Sequence, residues 1–345
     1  MKLSECFRVP DSVLGYLEWC SGILYVNATY EEFKSIGQSS PPPPRLRYLL
    51  QTISHETYHF AQAVTTGFFF RLVCQALKCV SEILQPPLDA DRIERLLASP
   101  PKMSDAYTDL VVALDKHSGD HLTDRAVIES SAMFFEYRTH FPNLTHNYYL
   151  YLLRKEMPAM TSEYRIGYEL ATGFLGDRAF DSILPVAFTA LCFERPRDAF
   201  REALALLQRD GIPGEWSLRT IQQVAQSLSR SNRPIGSAIQ VMETGAWHPI
   251  YSPVVMALND NADRVNPIEM MIRPEQNTVD RYLPIVRPTL FRNGVLHIPS
   301  AFSDRYPKAS ASDVVSAIAI LGGMAMRIGG RDESISRHRV IRLPA

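Results

Sequence analysis

The stretch Ile53-Ser54-His55-Glu56-Thr57-Tyr58-His59-Phe60-Ala61-Gln62 reads H-E-x-x-H-x-x-Q. In a helix, His55 and His59 fall one turn apart on a single face, so their imidazoles can converge on one metal ion. Glu56 lies roughly 100° further round. That takes it out of the ligand set but leaves it within reach of a water on the metal, the layout of a hydrolytic zinc site with one open position. With 9 histidines in 345 residues, an accidental match is expected in roughly one such chain in a hundred, so the motif needs a third ligand elsewhere to carry weight.

The flanks support a helix. From Arg45 to Leu84 there is no proline and only Gly67, and apolar residues recur at helical spacing through Leu46, Leu49, Leu50, Ile53, Phe60, Val64, Phe68, Leu72, Ala76 and Val80. One long helix ended by Pro86 and Pro87 is expected, with the motif inside it. Upstream, Gly22 to Thr29 has the β-branched and aromatic content of a short strand, and Tyr30 to Ile36 has room for one or two helical turns. Gly37 to Pro44 ends in four prolines and reads as a stiff connector, with a polyproline ligand as the alternative.

A second segment supplies carboxylates. Thr123 can cap a helix that Pro142 closes, and on it Glu129, Ala132 and Glu136 share one face. A carboxylate on a buried face needs a partner, and a metal ion suffices. The alternative is a solvated face on which Glu136 pairs with His140. Ser130, Ser131 and Ala132 are small enough for a neighbouring helix to come close.

His55-Glu-Thr-Tyr-His59-Phe-Ala-Gln62 and Glu129-Ser-Ser-Ala132-Met-Phe-Phe-Glu136 together resemble the two motifs of gluzincin-type zinc metallopeptidases, an H-E-x-x-H-x-x-Q helix and a downstream E-G-x-A-x-x-x-E helix. The resemblance implies His55, His59 and Glu129 as ligands of Zn²⁺, Glu56 as general base, and a peptide or protein substrate. Glu136 would orient His55 or His59 through the ring nitrogen that faces away from the metal. Ser130 stands where glycine is common in such families. The matching segments cover two helices, and only one strand is expected ahead of the motif, where such peptidases place a sheet.

The rest of the chain reads as mainly α with minor β. Helices are expected over Ala90 to Ala98, Ser104 to Lys116, Tyr148 to Glu156, Ser162 to Phe174, Phe180 to Cys192, Arg197 to Gln208, Ser217 to Ser229 and Ser312 to Ile328. His117, Asp120 and His121 fall in a loop, read as polar with metal binding as the alternative. Tyr148, Tyr149, Tyr151, Tyr164 and Tyr168 read mostly as core residues with a hydroxyl at its edge. Asn232 to Pro288 reads as irregular. In Leu290 to Ile298, Asn293-Gly294 separates two β-type runs, which predicts a hairpin. The expected division is an N-terminal strand and connector over 1–44, a zincin-like helical core over 45–210, and a C-terminal α+β region over 211–345, free to pack into the same domain.

Composition sets bounds. The chain is 46% apolar and 21% charged, as in a soluble globular protein, and its net charge of -1 gives no general attraction to nucleic acid or anionic lipid. The arginine-rich tail from Arg327 to Arg342 reads as a solvated end. No secretory signal is visible, and Ala317 to Met326 is too short to span a bilayer. The 5 cysteines lack C-x-x-C spacing, which suits reduced thiols in a cytoplasm. There is no G-x-S-x-G, no P-loop and no G-x-G-x-x-G.

Two other readings of the motif stand beside zinc-dependent hydrolysis. Glu56-x-x-His59 is also half of a carboxylate-bridged di-iron site, although no second E-x-x-H is present. A helical interaction protein with a structural or vestigial metal site is the third.

Overall fold

The computed structural model describes residues 15–18, 23–26, 44–84, 91, 95, 112, 114–116, 121–156, 162–211, 213–248, 251–260, 267–272, 291–292 and 295–296. Helix accounts for 79% of the interpretable residues, and the only strands among them form two antiparallel pairs. The fold is mainly α, as the sequence periodicity predicts.

β1 (Gly15–Glu18) pairs with β2 (Ile23–Val26), with Gly15 opposite Val26 and Glu18 opposite Ile23. The single strand expected near the N-terminus is thus half of a hairpin, and its partner carries no strong β signal of its own. The pair lies against helix α1 (Pro44–Thr65). Pro44 belongs to α1 rather than to the connector, because the first turn of a helix neither uses its missing N–H nor resists its fixed φ.

The helix expected over 45–84 is two helices. α1 ends at Thr65, Thr66 makes an isolated bridge with Ser237, and α2 runs over Gly67–Leu84. At the junction the Gly67 N–H donates to Gly236 O at 2.9 Å and the Phe68 N–H to Leu191 O at 3.0 Å. Two distant carbonyls therefore replace the helix's own acceptors. A Cβ at Gly67 would overlap the Gly236 carbonyl oxygen, so this approach needs glycine.

α3 (Asp124–His140) starts as predicted, with Thr123 Oγ1 accepting from the Ala126 N–H at 3.0 Å. It is buried on nearly every side, and a helix surrounded in this way is a central one. The solvated-face alternative for Glu129 and Glu136 falls with it, since they are 8% and 0% exposed. α1 crosses α3 on one side, while α5 (Ile166–Leu175), α6 (Ala179–Ala190) and α7 (Pro196–Asp210) pack around the others. α4 (His146–Tyr151) follows α3, passes into a π-helical turn over Leu152–Glu156, and a 3₁₀ turn over Ser162–Tyr164 precedes α5. Tyr149, Tyr164 and Tyr168 are core residues, whereas Tyr148 and Tyr151 are exposed.

α8 (Leu218–Leu228) is capped by Ser217. The region read as irregular holds three further helices, α9 (Ala238–Glu243), α10 (Tyr251–Asp260) and α11 (Pro267–Ile272). They are too short to show periodicity, and packing against α1, α2 and α6 sustains them. One apolar cluster extends from Tyr58 to Ile272 and takes Val241, Tyr251, Val255 and Met271 from these helices. β3 (Phe291–Arg292) and β4 (Val295–Leu296) pair antiparallel, Arg292 opposite Val295, as the expected hairpin requires, while Asn293 and Gly294 lie outside the described residues. Residues 91, 95, 112 and 114 are helical, within the helices read over Ala90–Ala98 and Ser104–Lys116. The expectations for 30–36, 117–120 and 312–328 lie outside the described residues. No described helix is long and apolar enough to cross a membrane.

Candidate metal centre

His55 and His59 project from one face of α1 toward Glu129 on α3. Their Nε2 atoms are 3.1 Å apart. Glu129 Oε2 lies 3.2 Å from His59 Nε2 and 3.4 Å from His55 Nε2. Four donors held tetrahedrally at about 2.0–2.1 Å from a zinc ion are about 3.3–3.4 Å from one another. The triangle of donor atoms is therefore close to one face of such a tetrahedron. Among the described residues this is the only group of three His, Cys, Asp or Glu side chains placed to share a metal, and all three are buried.

The outer nitrogens of both rings face oxygen. His59 Nδ1 is 2.8 Å from Gln62 Oε1, and His55 Nδ1 is 3.3 Å from Glu136 Oε2. A proton on each Nδ1 leaves a lone pair on each Nε2, so two nitrogen lone pairs and a carboxylate oxygen point at one another. Three electron-pair donors in mutual contact, away from water, need a shared cation or proton between them.

The electrostatics agree. Burial disfavours the His55 imidazolium, but hydrogen bonds to Glu129 and Glu136 and the charges of Glu56 and Glu136 outweigh it and raise the pKa from 6.5 to about 10. Burial alone would raise the Glu129 pKa. The attraction of the facing His59 and His55 when they carry a proton on Nε2 reverses this and holds the carboxylate of the metal-free cluster well below its ordinary range. The pocket thus favours positive charge at its centre.

Glu56 is half-buried beside the ligand face, and its charge is felt at His55. Glu136, entirely buried, sets Oε2 beside His55 Nδ1. His140 Nε2 lies 2.8 Å from Ser54 Oγ. His121 is exposed, in a loop with φ of 64°.

Two neighbours were not singled out by sequence. Gln62 is a polar residue on an apolar helix, three positions after His59, and that misfit was its signal. Tyr164 places its ring centroid 5.9 Å from that of His55, and nothing local marks it out from the other tyrosines.

Comparison with protein-family models, with curated proteins and with solved structures gave no match. The functional reading rests on the geometry of the site.

Proposed function

We propose that the chain is a zinc-dependent hydrolase acting on peptide or amide bonds. The reading is supported above all by the three electron-pair donors that converge from α1 and α3 at the spacing of one face of a zinc tetrahedron. His55, His59 and Glu129 also match in number and type the three protein ligands of a catalytic zinc site, which keeps a fourth position for water.

A zinc ion held there would supply Lewis acidity and a bound water of lowered pKa. The protein's own groups do the rest. His55 and His59 present Nε2, oriented by Glu136 and Gln62, and Glu129 offsets one positive charge. Glu56 takes a proton from the attacking water on its carboxylate and passes it to the leaving nitrogen. The core aromatics around α3 keep bulk water away, which strengthens each of these interactions.

The test pairs elemental analysis with the Glu56→Gln variant. The wild type should hold one zinc per chain and cleave members of a peptide library. Glu56→Gln should keep the zinc and lose on the order of 10²–10⁴-fold in rate. Undiminished turnover in that variant overturns the mechanism, and two irons per chain would replace it with the oxidase reading.

A further inference from the structure

We infer that Gln62 is a positioning residue that locks His59 in the Nδ1-protonated tautomer, and that Ser131, on the opposite helix, holds Gln62 in the orientation this requires. The inference deepens the zinc reading and rests on it for His59's role as a ligand. Its central measurement is made without metal.

The argument follows the protons. Ser131 Oγ is 2.9 Å from both Val127 O and Ile128 O, backbone carbonyls that only accept, so its single hydroxyl proton is committed to them. Its lone pairs then face Gln62, whose Nε2 lies 3.0 Å from Ser131 Oγ and 3.4 Å from Ile128 O. Turned over, the Gln62 amide would set its oxygen against a carbonyl oxygen, so the amide nitrogen belongs on this side. Gln62 Oε1 is therefore the atom 2.8 Å from His59 Nδ1, and it can only accept. His59 must donate from Nδ1, which leaves Nε2 with the lone pair that a metal needs. Gln62 and Ser131 are both 0% exposed, so water cannot substitute for either partner.

An amide is the economical choice here. It accepts the Nδ1 proton without adding a third buried carboxylate beside Glu129 and Glu136, whose two charges already balance a divalent ion. The chain of donors also crosses from α1 to α3, the helix that carries Glu129. His59 is thus preorganised only when the two ligand-bearing helices are docked.

Nitrogen-15 NMR of the full-length, metal-free protein at about pH 8, where an ordinary histidine is neutral, reads the tautomer directly. The wild type should show His59 protonated on Nδ1. Gln62→Leu should shift it toward the Nε2-protonated or mixed form and weaken zinc binding by about 10–100-fold, measured by competition with a chromophoric chelator. Ser131→Ala, which removes the partner that holds the Gln62 amide but leaves its oxygen beside His59, should fall between the two. A wild-type His59 protonated on Nε2 overturns the inference. So does a folded Gln62→Leu protein with unchanged tautomer, or a folded Ser131→Ala protein indistinguishable from the wild type in both tautomer and affinity. If the wild type binds no zinc, the proposed function fails, while the metal-free tautomer still decides the role of Gln62.

Discussion

The buried carboxylate of Glu136 sets its Oε2 3.3 Å from Nδ1 of His55, two turns along α3 from the Glu129 that meets the same ring at Nε2. One imidazole is held by two acidic residues of one helix, one at each nitrogen. Glu136→Gln weakens the acceptor at Nδ1, and zinc affinity should fall by about 10–100-fold with the helical circular dichroism unchanged. Affinity within twofold of wild type would reduce Glu136 to a packing residue.

Metal binding should depend on pH. The raised His55 pKa stabilises the metal-free fold fully below 6.5, and this contribution is lost as pH rises through about 10. Glu129, held below its ordinary 4.5, contributes above that value and loses its contribution as pH falls further. The metal-free cluster is thus most favourable between 4.5 and 6.5. A metal must displace the His55 proton, so apparent zinc affinity should rise by about tenfold or more per pH unit from pH 6 to 8. The thermal shift produced by zinc should grow with it. A thermal shift flat across that range contradicts the assignment of His55 as a ligand.

Gly67 sits where the backbone of Gly236 comes closest. Alanine would ordinarily help a helix by about 1 kcal/mol. Here its methyl meets a carbonyl oxygen that is itself held by the Gly67 N–H, so the neighbour cannot yield. Gly67→Ala should destabilise by about 1–3 kcal/mol in urea unfolding, and a stabilised variant would contradict the α1–α2 junction described.

Gly167 of α5 meets Ser130 of α3, where an added methyl would overlap the Ser130 side chain. Gly167→Ala should therefore lose stability by about 1–3 kcal/mol, and Ser130→Gly in the same protein should recover most of that loss. Strict additivity of the two changes in a double-mutant cycle would show that the residues are not in contact.

What the sequence made legible was local. The spacing of His55 and His59, the Thr123 cap and the Glu129/Glu136 register are each written within one helix, and the structure brings His55, His59 and Glu129 together. The pairing of Phe291–Arg292 with Val295–Leu296 is likewise local. The break at Thr66 escaped because its cause is the carbonyls of Leu191 and Gly236, far along the chain. α9 to α11 escaped because helices of 6 to 10 residues are made by their neighbours. The role of Gln62 is not legible in the H-E-x-x-H-x-x-Q spacing, because it depends on Ser131 from another helix.

The Tyr58 hydroxyl, between the two histidines of α1, donates to Met271 O at 3.2 Å, a partner 213 positions later. A chain emerging from the ribosome completes α1 and α3 well before Met271 exists, and it must hold those helices together through a long stretch of synthesis. This contact of the ligand helix is among the last the described chain can make. If the chain holds zinc as proposed, an ion met during synthesis would reach a ligand helix that still lacks this contact.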